Sequence, residues 1–299
     1  MEAVIFPGQG SQYVGMGKSL HEGFDKARQV FLSADKVLGF EISRKCFEAT
    51  EDELRDTSIQ QLTILVVSLA AYEVFKEKNI KVDYLSGLSL GEYSCLYAAG
   101  SLALEDLIIL VRERAKAMQE AARQNPSTMF AVLGVEREVL EELAKTKKFY
   151  IANLNSPKQI VISLAKDDKE KIKETLESEG FKVIELAVSG GFHSPFMEPA
   201  KDYLASVIGK MRFSDAKIPI VSNFTAKAHT EPEQIKRNLL EQLTSPVLWK
   251  DCVEYMAEKG SESFFEVGPS RVLKGLIRKI NPQIKVINIE KKEDLETIS

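Results

Sequence analysis

The chain has 299 residues, of which 44% are hydrophobic and 28% charged, with a net charge of -4. That length suits one large domain or two modest ones with a sizeable core. The composition is that of a soluble globular protein. The mild negative charge gives no electrostatic reason to expect nucleic acid or an anionic membrane as partner. Cys46, Cys95 and Cys252 are far apart, odd in number and in no C-x-x-C pair, which fits buried thiols in a reducing cytoplasm. No metal site is expected. Met1–Pro7 has no basic or long apolar segment and does not read as a signal peptide. The longest apolar stretch, Leu62–Ala71, is broken by Thr63 and Ser68 and is too short to span a bilayer.

In chain order, short β-rich runs occur at Ala3–Phe6, Val82–Leu85, Ile218–Val221 and Phe264–Val267. Each is read as leading into helical periodicity, the pattern of a parallel sheet covered by helices. The middle of the chain reads differently. Strands are expected at Thr128–Leu133, Phe149–Ala152, Gln159–Ser163 and Lys182–Leu186, with helices at Glu136–Lys145 and Asp167–Glu179. A βαββαβ order of this length suggests a ferredoxin-like subdomain at 126–190, inserted between 1–125 and 191–299.

Gly87-Leu88-Ser89-Leu90-Gly91 follows one strand run and opens a helical run, Glu92–Ala99. This is the G-x-S-x-G pattern of a nucleophile elbow, in which a serine sits on a strained strand-to-helix turn. The flanking positions have no room for a Cβ, so glycine is a steric requirement. The turn puts Ser89 at a helix N-terminus, where free N–H groups favour developing negative charge. A plain structural turn is the alternative.

A serine nucleophile needs a base, and the chain has three histidines. His21 lies in a charged helical run and reads as solvated. His229 precedes Thr230-Glu231-Pro232-Glu233, a capping-box pattern, and reads as an exposed loop residue. His193 follows Gly190-Gly191-Phe192 among apolar residues and is the candidate base, with a satisfied core histidine as the alternative. No acid between Ser89 and His193 stands out, and a long C-terminal stretch follows the histidine. Both features depart from an ordinary lipase or esterase.

Glu105–Gln124 is strongly helical, with Leu107, Leu110, Val111, Met118 and Ala121 on one stripe. Arg114 sits at the centre of that stripe. A guanidinium keeps its charge, so burial there demands an anionic partner. One reading is an internal salt bridge, with Glu266 as partner. The other is a bidentate clamp for a substrate carboxylate.

These motifs resemble the malonyl-CoA:acyl carrier protein transacylases and the acyltransferase domains of polyketide synthases. Phe6-Pro7-Gly8-Gln9-Gly10-Ser11-Gln12 is similar to the family's opening motif, and Gly87–Ser94 to its nucleophile motif, with Leu88 where the family often has histidine. Arg114–Glu120 is similar to the segment holding the carboxylate-binding arginine. Phe192-His193-Ser194 is similar to the histidine motif in the form associated with malonyl units. Gln242, Pro246, Trp249 and Glu266–Pro269 complete the pattern.

The resemblance implies an α/β fold, with a large α/β-hydrolase-like subdomain and the ferredoxin-like insertion. It implies Ser89 as nucleophile, His193 as base, and the backbone carbonyl of Gln242 in place of a triad acid. It implies the backbone N–H groups of Gln9 and Leu90 as oxyanion hole, and Arg114, Asn155 and Phe192 as substrate-binding residues. The reaction would be ping-pong malonyl transfer from malonyl-CoA to an acyl carrier protein, in fatty acid or polyketide synthesis. No cofactor is expected, and the protein is expected to be a cytoplasmic monomer. The alternative is a serine hydrolase or thioesterase. The helix expected over Arg271–Ile280 carries Arg271, Lys274 and Arg278 on one face, a candidate docking face for an acidic carrier.

Overall fold

The computed structural model describes residues 1–296, so the last three residues of the expected C-terminal segment lie outside it. The chain opens with β1 (Glu2–Phe6), α1 (Lys18–Gly23), α2 (Asp25–Leu38), α3 (Ile42–Glu48), α4 (Thr57–Phe75), β2 (Tyr84–Gly87), α5 (Leu90–Ala98) and α6 (Leu104–Gln124). There follow β3 (Ser127–Leu133), α7 (Arg137–Thr146), β4 (Phe149–Ser156), β5 (Gln159–Ala165), α8 (Lys169–Ser178) and β6 (Lys182–Glu185). The chain continues through α9 (Glu198–Ile208), β7 (Ile220–Val221), β8 (Ala228–His229), α10 (Pro232–Thr244), α11 (Trp249–Glu258), β9 (Ser263–Val267), α12 (Val272–Ile280), β10 (Lys285–Ile289) and α13 (Lys292–Glu296).

Two sheets result. The larger runs β10-β9-β1-β2-β7-β8 and is parallel except for the β7–β8 pair. β1 lies inside it with four apolar residues, Ala3 to Phe6, fully buried, as a strand covered on both faces requires. The loops after β1, β2, β7 and β9 all leave its carboxyl edge, where open α/β sheets place their ligands.

The second sheet is antiparallel, in the order β4-β5-β3-β6. Along β3, Met129 and Ala131 face the main core, while Phe130 and Val132 pack with Leu140, Ile172 and Leu176 under α7 and α8. The two-residue alternation therefore joins the two parts. β4 bulges between Ile151 and Asn153. Beside the bulge, Leu154 N donates to Val247 O and Val247 N to Ala152 O, at 2.9 and 2.8 Å, stitching the small sheet to the segment after α10.

Several expectations shift. α4 is longer than its apolar stretch suggests, and Thr57–Lys78 is the one helix among the described residues long and apolar enough to cross a membrane. It is buried within the protein on all sides, as a helix apolar all round must be. β7 is only two residues long and turns back as β8, instead of leading into a helix. Ser222 N still reaches across to Lys227 O at 3.0 Å, and the next N–H, that of Asn223, turns to Glu92 Oε2 at 2.9 Å. β10, an edge strand paired with β9, lies in a stretch that sequence reading left unassigned.

Candidate active site

Ser89 stands between β2 and α5 at φ 51°, ψ −98°, a conformation that costs on the order of 1–3 kcal/mol in a non-glycine residue. Its surroundings admit no side chain at the flanking glycines. A Cβ on Gly87 would lie 2.1 Å from the Gly91 carbonyl carbon, and one on Gly91 would lie 2.1 Å from Phe6 O. The loop after β1 closes on the same point, since a Cβ on Gly8 would lie 2.2 Å from Leu88 O.

Buried polar groups hold the strained turn. Asn223 Oδ1 accepts from Ser89 N at 2.6 Å, and its Nδ2 donates to Gly87 O at 2.8 Å, so one carboxamide grips both sides of the elbow. Gln242 Nε2 donates to Ser89 O at 3.1 Å and to Glu92 Oε2 at 2.7 Å. Glu92 is buried, and burial pushes its carboxyl up to about 7 against the hydrogen bonds it accepts and the Arg114 charge.

His193 Nε2 lies 2.8 Å from Ser89 Oγ, and His193 Nδ1 donates to the Gln242 carbonyl at 2.7 Å. With the proton on Nδ1, Nε2 is free to accept from the hydroxyl. Burial pushes the imidazole down to about 4, the Gln242 carbonyl opposing and the Arg114 charge reinforcing the shift. The ring is therefore neutral at physiological pH, the state a base needs.

Arg114 is 1% exposed, on the buried face of α6. Its Nη1 donates to Gln61 Oε1 at 2.5 Å, and its Nη2 to Ser89 Oγ at 3.0 Å and Gln242 Oε1 at 3.3 Å. Its Cζ sits 4.7 Å from the centroid of the Tyr93 ring. The alternative salt bridge with Glu266 is absent. Glu266 accepts from Leu273 N, Lys274 N and Asn288 Nδ2 instead. Its hydrogen-bond partners are all neutral, and the buried Glu92 carboxyl acts on its charge only through space, with no ion-pair contact between them.

A cleft of roughly 320 Å³ opens over Ser89 and His193. Gln9, Asn155, Phe192 and Met129 line it. Asn155 Oδ1 is buried without a partner, and among the described residues neither the Gln9 nor the Leu90 N–H is taken up by another group. Every residue singled out from the sequence for the site thus lies at this cleft or in direct contact with Ser89 or His193.

The other two histidines are elsewhere, and neither is simply solvated. His21 packs edge-on against Phe31, with centroids 5.5 Å apart. His229 lies in β8 and bonds Thr225 Oγ1 at 2.8 Å. The capping box near it does not form, because α10 starts at Pro232 with Glu231 as N-cap and no side-chain cap bond. Sequence reading missed Gln61 and Asn223. A pair of glutamines in an otherwise apolar helical run was the available signal for the first, and an asparagine two residues past a strand for the second.

A model of the acyl transferase domain family matches residues 4–292. The malonyl CoA-acyl carrier protein transacylase of Bacillus subtilis is 40% identical over 98% of this chain and 95% of its own length. The solved acyl carrier protein S-malonyltransferase of Vibrio cholerae superposes with a TM-score of 0.95 at 34% identity, over 100% of this chain and 99% of that one. A malonyl-transacylase solved in complex with a type II PKS acyl carrier protein superposes at 0.94 with 34% identity, covering 99% and 98%. With a relative this similar along nearly the whole length of both chains, this acyltransferase belongs to the malonyl CoA-acyl carrier protein transacylase family.

Proposed function

We propose that the protein transfers a malonyl group from malonyl-CoA to the phosphopantetheine thiol of an acyl carrier protein, through a malonyl ester on Ser89. His193 Nε2 takes the Ser89 proton as Oγ adds to the thioester carbonyl. The Gln9 and Leu90 N–H groups receive the oxyanion. Collapse breaks the C–S bond, and the departing CoA sulfur takes the proton from His193 and leaves as the thiol. The carrier thiol then gives its proton to His193 and adds to the ester. Collapse returns that proton to Ser89 Oγ and leaves malonyl on the carrier. Arg114 holds the malonyl carboxylate in both halves. These groups suffice without a cofactor, and the reading is of a cytoplasmic monomer.

The observation that carries this reading is Arg114, buried, without a carboxylate partner, and 3.0 Å from the nucleophile hydroxyl. A hydrolase of simple esters has no use for a fixed charge there. The named relatives, and the neighbour solved with its carrier protein, agree with this substrate pair. Intact mass after incubation with malonyl-CoA tests it. A single malonyl adduct should persist, then move to holo carrier protein when that is added. Rapid release of free malonate with no carrier present would make the protein a thioesterase.

A further inference from the structure

The proposed oxyanion donors are backbone N–H groups, and no side chain of their own aims them. Direction is set by the peptide plane. In a trans peptide the N–H points opposite to the carbonyl of the preceding residue, and the barrier to rotation keeps the two groups together. Whatever grips that carbonyl therefore aims the donor. For Leu90 the preceding carbonyl is Ser89 O, held by Gln242 Nε2 at 3.1 Å and by Glu92 N at 3.1 Å. For Gln9 it is Gly8 O, held by Ser11 Oγ at 2.7 Å and, less tightly, by Ser11 N at 3.3 Å.

The two donors differ in their backing. Leu90 opens α5, so a helix continues the alignment of its peptide. Gln9 lies in a loop outside any helix or strand. Its alignment rests on contact with the elbow at Gly8 and on the bond from Ser11. Ser11 is 2% exposed and Gly8 is buried, so water does not compete for Gly8 O.

We propose that Ser11 is a positioning residue. Its hydroxyl fixes the Gly8–Gln9 peptide so that the Gln9 N–H points at the developing oxyanion, as the Gln242 carboxamide does for Leu90. The proposal rests on the transferase reading of the site. A donor that tilts is felt when negative charge develops on oxygen, and hardly in the ground state. Loss of the Ser11 hydroxyl should therefore lower the maximal rate and spare substrate binding.

The test is single-turnover acylation of Ser89 by malonyl-CoA, quenched and read by intact mass, with melting temperatures alongside. Ser11→Ala should slow the maximal acylation rate about 10- to 100-fold, less than the loss of a whole donor. The malonyl-CoA concentration giving half that rate should stay put, and the melting temperature should move by no more than about 2 °C. Ser11→Thr, which keeps the hydroxyl, should recover most of the rate. A Ser11→Ala protein that acylates as fast as the parent would overturn the proposal. So would one in which rate, half-saturation and melting temperature all worsen together and threonine does no better, since that is packing. A parent protein that takes no malonyl group at all would sink the transferase reading itself, before Ser11 is touched.

Discussion

Two buried glutamates at the carboxyl edge of the large sheet invite comparison. Glu92 and Glu266 are 2% and 0% exposed, and burial pushes both carboxyls up to about 7. Each is held by hydrogen bonds. Glu266 accepts from Leu273 N and Lys274 N at 2.8 Å and from Asn288 Nδ2 at 3.0 Å, so it satisfies the free amides that open α12 and meets the positive end of its dipole. Glu92 accepts from Asn223 N and Gln242 Nε2, the two residues that grip the elbow. The chemistry of the two acids is alike, and what their donors do next differs. Burial and a displaced titration do not by themselves mark an active site, because a structural acid has both. Connection to the reacting atoms does.

The strongest way to separate the two regions is to silence one of them. Ser89→Ala should end acylation by malonyl-CoA, by about 10⁴-fold or more, and leave melting nearly unchanged. A malonyl adduct of the same size on that variant would move the nucleophile elsewhere. His193→Ala should slow transfer by about 10²- to 10⁴-fold. In the parent enzyme the acid limb of the acylation rate should have its midpoint near about 4, because the buried imidazole resists protonation far below its ordinary 6.5. A limb at the ordinary value would mean that the ring is solvated in the working enzyme.

Arg114→Ala tests whether the open charge beside Glu92 serves the substrate. Malonyl transfer should fall by about 10²-fold, and preference should shift towards acetyl-CoA, which has no carboxylate to lose. Equal losses on both substrates with earlier melting would instead make Arg114 a packing residue, on a par with Glu266.

The glutamates themselves give the direct contrast. Glu266→Gln puts an NH₂ group where backbone amides donate, and should cost about 1–3 kcal/mol of stability without changing the rate of the folded protein. Glu92→Gln disturbs Gln242 and Asn223, and should slow acylation by about 10-fold as well as costing stability. Both acids hold their proton more tightly folded than unfolded. The unfolded chain releases it near the ordinary 4.5 and the native protein only near about 7, so stability declines as pH rises through that window. Each Gln variant should show a flatter decline there. Chemical denaturation at several pH values checks this, and an unchanged slope in both variants would deny the two carboxyls their displaced titration.

The contrast also shows what sequence could and could not reveal. The elbow was legible because sterics force glycine at Gly87 and Gly91, and Arg114 because a charge interrupts an apolar stripe. Those signals are local in the chain. Asn223 and Gln61 reach the site only through tertiary folding, and the local signals they carry, an asparagine after a strand and a glutamine pair in an apolar run, do not say what they will meet. Gln242 was expected to act through its backbone alone, yet its side chain bonds Arg114, Ser89 O and Glu92. Gln242→Ala should therefore cost more than the surviving carbonyl suggests. Among the elements, the βαββαβ run was plain from its alternation. β7 is shorter than its apolar run suggests, and two residues beyond it Asn223 is recruited by the elbow.

The smallest effect expected concerns the helix that Glu266 anchors. α12 buries Leu273, Leu276 and Ile277 and turns Lys274 and Arg278 to solvent, with Arg271 exposed just ahead of its first turn instead of within the helix. Its N-terminus stands at the same sheet edge as Ser89, so a partner delivering a thiol to the cleft would pass near it. An acidic carrier protein approaching a chain of net charge -4 meets overall repulsion, which a local basic face can offset. Such attraction acts on encounter and fades with salt. Reversing Lys274 and Arg278 to Glu should raise the apparent KM for carrier protein about 3- to 10-fold at low ionic strength, and much less in high salt. Acylation by malonyl-CoA should be untouched, because neither side chain reaches the cleft. Carrier kinetics unchanged at low salt would take this face out of the docking surface. Glu266 would then be an acid that holds a helix and nothing more.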